Sequence, residues 1–272
     1  MKTLFRWSAT LALMGGVLFG SVVGAPKAFA LTDEQVMTQL AAVPVFTLAD
    51  GQGSLVVATF TQEQGGEEKP PVATVFVSHQ SAETFLQNMR NNNTQLAEGV
   101  RVVPISLARV YELAMSGQSQ ENPLQVAFVP VQADVDAALS ILQQNGQTLE
   151  RFPGVPLFIA KSGSGENESL LTIRRGDQEV IPMYFSEDEL QAAIDQLRQS
   201  QPDLASSVRI DVVSLGNLME NLRTSDNQEL TRIFLIPPEE TLNYIRSMQQ
   251  QEGGQNQQQN QQQSAPQQQQ QQ

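Results

Sequence analysis

RVVPISL at residues 101–107 is answered by RIDVVSL at residues 209–215, and a valine precedes each copy. Extended without a gap, the pair aligns Val75–Leu113 with Met183–Asn221, and nine of the 39 paired positions are identical. Ordinary composition gives about two or three by chance. The apolar pattern agrees further than identity does: Ala82, Phe85, Leu86 and Met89 face Leu190, Ala193, Ile194 and Leu197. Each set is spaced i, i+3, i+4, i+7, which is one helix face. On either side small insertions shift the offset, yet Val43-Pro44-Val45-Phe46 still resembles Val155-Pro156-Leu157-Phe158, and Phe128-Val129-Pro130 resembles Leu235-Ile236-Pro237. The motif recurs because a unit of roughly 110 residues recurs. Repeat 1 spans residues 31–149 and repeat 2 residues 150–248.

Within each unit the elements follow one order. Val43–Leu48 and Val155–Ile159 are short apolar runs ended by turn residues, as strands feeding hairpins are. Their partners are Leu55–Phe60 and Ser169–Ile173, and Val72–Val77 or Val180–Phe185 makes a third strand. A helix follows to Asn92 or Gln199; Ser186 with Glu189 has the spacing of a capping box at its start, and Ser78 stands in the matching place without the Glu. A strand at Val100–Ile105 or Val208–Val213 leads into a second helix at Leu107 or Leu215. The strand Gln125–Val129 or Ile233–Ile236 then ends at a proline, before a last helix at Val131–Gln144 or Glu239–Gln249. The fold class is mixed α/β (α+β), with two pseudo-symmetric repeats packed into one globular body. One further helix, capped by Thr32 and Gln35, precedes Val43 and has no clear counterpart in repeat 2.

The two ends have compositions foreign to a packed core. Residues 1–30 carry a basic start (Lys2, Arg6), an apolar run from Ala9 to Gly24 and the ending Ala28-Phe29-Ala30, the plan of a secretory signal peptide cleaved after Ala30. The run is shorter than the ~20 residues of a spanning helix. From Gln249 to Gln272 the chain is mainly Gln and has little apolar to bury, so a disordered tail is expected. The leader holds three of the 16 basic residues and none of the 29 acidic ones, so its loss takes the formal charge from −13 to −16. That charge argues against nucleic acid and anionic lipid as partners. With no cysteine, an exported chain of this kind must be stabilised by burial alone.

No catalytic constellation emerges. His79 is the only histidine, and its counterpart Glu187 is a surface-type residue, so it reads as an exposed residue at a helix start. One histidine and no cysteine exclude the ordinary zinc sites. Glu187-Asp188-Glu189 and Glu67-Glu68 lack the alternation of a calcium loop. Gly163-Ser164-Gly165 is too short and too acid-flanked for a phosphate cradle. No enzyme, cofactor or metal is expected.

The copies differ most after the opening motif. Pro104 replaces Val212, and a proline, having no N–H, belongs on an edge strand or at a bulge. In the next helix Leu113 and Met115 stand where repeat 2 has Asn221 and Arg223, adding apolar surface beside the stripe Leu107, Val110, Tyr111 and Ala114. The other repeat covers that surface, or a client does. Pro104, Leu113 and Met115 together form the candidate client-binding surface, where an extended chain pairs with the sheet edge and lays side chains on the patch.

AVPVF, VRVVPISLARVYELA, FVPVQADVDAAL, GVPLFIA and VIPMYFSEDELQAAIDQL in combination resemble the Tic twenty-two-like family, across nearly the whole chain from the mature start to about Met248. The resemblance implies two pseudo-symmetric halves with apolar pockets. It also implies a non-enzymatic, chaperone-like factor that assists passage of unfolded precursor or outer-membrane proteins, with the barrel-assembly machinery as a partner in cyanobacterial members. The bacterial-type leader favours a cyanobacterium, with the periplasm or the thylakoid lumen as destination and no stable membrane insertion. An exported binding protein for a small apolar ligand is the alternative.

Overall fold

The computed structural model describes residues 31–58, 70–92, 95, 97–117, 123–163, 165 and 168–263, so the leader and residues 264–272 lie outside it. Repeat 1 runs α1 (Asp33–Ala41), β1 (Pro44–Ala49), β2 (Val57–Ala58), β3 (Val72–Phe76), α2 (His79–Asn92), β4 (Arg101–Ser106), α3 (Leu107–Gly117), β5 (Gln125–Val129) and α4 (Gln132–Gln144). Repeat 2 continues with β6 (Pro156–Ser162), β7 (Ser169–Leu170), β8 (Ile173–Arg175), β9 (Gln178–Tyr184), α5 (Glu187–Ser200), α6 (Pro202–Ala205), β10 (Arg209–Ser214) and α7 (Leu215–Thr224). A 3-10 turn (Gln228–Arg232), β11 (Ile233–Ile236) and α8 (Glu239–Gln263) complete it. The capping box of α1 is present: Gln35 N–H donates to Thr32 Oγ1 and Thr32 N–H to Gln35 Oε1.

Each repeat builds one sheet. Without the short strands β2, β7 and β8, the orders are β4-β1-β3-β5 and β10-β6-β9-β11. In both, the first three strands run antiparallel and the fourth runs parallel to the third. The outer ladders share a register, with Pro44 opposite Ser106 and Pro156 opposite Ser214. They close alike, Leu107 N–H donating to Val43 O at 2.8 Å and Leu215 N–H to Val155 O at 2.8 Å.

Strand side chains alternate between faces, and here both faces of both sheets are covered, which is why the runs are nearly continuously apolar. Val45, Val75 and Val77 from the first sheet and Leu157, Ile159, Ile181 and Met183 from the second enter a central core with α1, α3 and α7. Phe46, Leu48 and Phe76 point the other way, toward α2. Phe158, Ala160 and Val212 do the same in the second sheet, toward α5.

The last helix of each repeat crosses over. α4 packs beside α5 on β6 and β10, covering the second sheet, while α8 lies beside α2 on β1, covering the first. The sequence boundary at 149/150 is therefore not where the packing divides. Crossing also redistributes the caps. Ser186 makes no side-chain cap bond, contrary to the capping-box spacing; Glu187 N–H donates to Asp134 Oδ1 of α4 at 3.0 Å, and Glu189 Oε1 accepts from Glu239 N–H at the start of α8 at 2.7 Å. The carboxylate missing three residues beyond Ser78 comes from α8 instead: Glu240 Oε1 accepts from Ser78 Oγ at 2.8 Å and from Gln80 N–H at 2.9 Å.

α8 also continues past Gln249, where a disordered tail was expected, to Gln263. Gln is a good helix former, and the next proline is Pro266. Apolar docking residues stop at Met248 nonetheless, so truncation after Gln250 is expected to leave the melting temperature within about 2 °C of the parent.

Candidate functional site

β4 and β10 are both edge strands among the described residues, so the edge position follows from topology and not from Pro104. The ladder decides which way each backbone group points. Because Leu107 bonds to Val43, the alternate residues Ile105 and Val103 also face β1, and Val102, Pro104 and Ser106 face outward. Pro104 thus removes the middle outward N–H. In repeat 2 the equivalent N–H belongs to Val212, and it donates to Asp211 Oδ1 at 2.8 Å. Two unrelated devices block the same register, as edges are protected against pairing with foreign chains. The expectation that an extended client pairs with β4 at Pro104 is therefore corrected: no donor is present there. Pro104→Val combined with Asp211→Ala reopens both edges, and sedimentation should show self-association at least about tenfold tighter than the parent's.

Leu113 and Met115 are both half-buried. Met115 packs against the central core, so it is covered within the molecule, while Leu113 lies outside the core clusters. Their counterparts Asn221 and Arg223 are exposed. The three candidate residues therefore do not make one open patch. His79, expected at the surface, is half-buried, because α8 crosses from repeat 2 and stacks Tyr244 on it with ring centroids 3.5 Å apart. Its Nε2 lies 3.6 Å from Glu83, and no serine and carboxylate flank it as nucleophile and orienter.

An open apolar site lies in repeat 2. A groove of about 410 Å³ runs between α7 and the irregular linker that joins α4 to β6. Its floor is the core-facing side of the second sheet, Ile159, Ile181 and Met183, with Val213 and Leu218; Leu149 and Phe152 form the linker wall. Charge is confined to Lys161, Asp211, Glu220 and Glu229, and Lys161 is ion-paired with Asp211 and with Glu168 at 3.4 Å. Such a site offers contact area and exclusion of water, with no polar group positioned to polarise or cleave a bond. Among the described residues no group of three or more His, Asp or Glu is placed to hold a metal ion, and no helix is long and apolar enough to cross a membrane.

A family model, the Tic22-like family, matches residues 12–250. The chain belongs to the Tic22-like family. Among curated members, "Protein TIC 22, chloroplastic" of Pisum sativum is 25% identical over 228 residues, covering 83% of this chain and 82% of that protein. The Arabidopsis thaliana protein of the same name is 25% identical over 221 residues, covering 80% and 72%. Among solved structures, that of Anabaena Tic22, a protein-transport protein, superposes with a TM-score of 0.69 at 22% identity, over 80% of this chain and 97% of that one. Plasmodium falciparum Tic22 gives 0.59 at 18% identity, over 79% and 97%. Both show that the Tic22 fold is shared.

The Tic22-like groove went unread in the sequence because attention fell on surplus apolar residues, whereas a groove is made by missing ones. The available signal was the helix before Val43, which repeat 2 lacks.

Where the crossing helices begin, carboxylates crowd. Half-buried Asp134 is pushed up to about 6, chiefly by burial and further by the charges of Asp188, Glu189 and Glu187, against the lowering effect of the Glu187 N–H. Burial also raises Glu187, beside Asp188, and Glu189, beside Glu239. A raised carboxyl keeps a proton in the folded state that the unfolded chain has released. Its contribution to stability is full below the ordinary value of 3.8 and is lost as pH rises to about 6. Asp134→Asn retains the acceptor for Glu187 and removes this slope. Thermal melts should coincide with the parent's at pH 4 and lie higher at pH 7, by about 1 kcal/mol after solvent screening.

Proposed function

We propose that this protein is a non-enzymatic, chaperone-like factor of protein transport that holds unfolded polypeptide segments in the groove of repeat 2. The observation that carries the reading is an open apolar floor with charge confined to its margin, a surface that fits varied apolar side chains without demanding one partner. Protein transport by the Anabaena relative and the chloroplast setting of the plant relatives support it. The clients are unfolded precursor or outer-membrane proteins, with the barrel-assembly machinery as a partner in outer-membrane biogenesis. The site of action is the periplasm or the thylakoid lumen, after cleavage behind Ala30. The repeats at 31–149 and 150–248 are the product of duplication, packed about a pseudo-twofold axis; matching strand order and the shared ladder register support that origin.

Crosslinking in the host, followed by identification of the bound proteins, tests the function: recovery of unfolded envelope precursors supports it, and recovery of none sinks it. Extracted protein should begin at Leu31 on N-terminal sequencing. The groove's volume also fits a small apolar ligand, a second reading. Native mass spectrometry of protein from its own host separates the two, because a stoichiometric small molecule belongs only to the second.

A further inference from the structure

We infer that the groove of repeat 2 takes an amphipathic helix with a basic flank, presented by the polypeptide in transit; this rests on the reading of the groove as a polypeptide-holding site. Repeat 1 shows what the place accommodates. α1 directly precedes β1 and packs against α3, giving Val36 and Leu40 to the central core. In repeat 2 the segment directly before β6 is irregular, and the groove opens between that segment and α7, the counterpart of α3. The duplicated scaffold is therefore short of one helix at this point.

Backbone chemistry selects a helix over a strand. β10 lines the groove from Asp211 to Ser214, but Asp211 already accepts the outward N–H of Val212, so an extended chain would find its central donor taken. A helix satisfies its own backbone and needs only a floor for its side chains. The margin sets the sign of the flank: three carboxylates, Asp211, Glu220 and Glu229, stand against one cation, Lys161. Glu220 and Glu229 each hold an arginine three residues along, at 3.0 Å, in exposed pairs that a cationic partner replaces at little cost.

The test titrates the full mature chain with labelled synthetic peptides about 18 residues long, some five helical turns. One has an apolar stripe with lysine flanks, a second has the same composition scrambled, a third keeps the stripe but carries a central proline, and a fourth replaces lysine by glutamate. Anisotropy should detect binding of the first, with the proline peptide at least about tenfold weaker because proline breaks the helix. Glu220→Lys with Glu229→Lys should weaken it by roughly fivefold at low salt. Asn221→Trp, an exposed position on the groove wall, should abolish it with an unchanged melt. If the proline or scrambled peptide binds as well as the first, the groove takes extended chain and the helix inference is overturned while the polypeptide reading stands. If Asn221→Trp binds the helix normally, the site lies elsewhere and the inference is overturned. If no peptide binds and Asn221→Trp also leaves suppression of client aggregation intact, both readings fall.

Discussion

Deletion of α8, residues 239–272, is expected to destabilise the protein by at least about 4 kcal/mol, a large share of the 5–15 kcal/mol of an ordinary domain. Although it belongs to repeat 2, α8 covers the first sheet. Tyr244 and Ile245 pack on the cluster around Phe46 and Phe76, and buried Thr241 donates to Val77 O at 3.2 Å. Its removal exposes Phe46 and Leu48 and strips Glu240 from the start of α2, whose cap alone is worth about 1 kcal/mol. The melting temperature should fall by roughly 10 °C or more. Hydrogen exchange should accelerate in β1, β3 and α2 before the second sheet responds. If repeat 1 keeps its protection, the crossing helix is decoration.

Met115→Arg is expected to cost roughly 2–3 kcal/mol, and Leu113→Asn less than about 1 kcal/mol. Copying repeat 2 into repeat 1 by both changes at once therefore lowers the melting temperature and does not act cleanly on a binding surface. The central core holds Met115, and the guanidinium must reach water past it, at the margin of what a long side chain manages. Nor is a carboxylate waiting. Arg223 pairs with Glu220 at 3.0 Å in repeat 2, but the matching Glu112 is already held by Arg109 at 2.5 Å. Melts of the two single variants decide it: a stable Met115→Arg would mean that the side chain is open to solvent, and the client surface at α3 would return to contention.

Local order was legible because it is written locally. The apolar runs around Val45, Val75 and Phe158 alternate or persist as strands do, and Leu190, Ala193, Ile194 and Leu197 can share a face only on a helix. Prolines 130 and 237 end strands wherever the rest of the chain goes. Aligning two copies doubled each of these signals, which is why Gln125–Val129 and Ile233–Ile236 are found at their observed limits. Function was legible only as an absence of catalytic chemistry and a resemblance to one family.

Sequence by itself determined the duplication, the order of elements and the mixed α/β class, since each rests on propensity and periodicity within about twenty residues. Tertiary structure alone decided which sheet each last helix covers. The apolar stripes of α4 and α8 fit either outer face equally well as patterns, and only the path from β5 and β11, closed by Asp134 on α5 and Glu240 on α2, selects the far one. It also decided that Asp211 does in repeat 2 what Pro104 does in repeat 1, because a carboxylate becomes an edge plug only once a ladder has turned one N–H outward. The groove is of the same kind. It exists where a linker fails to fill the space between a sheet and a helix, and an unfilled volume has no residue of its own to be read.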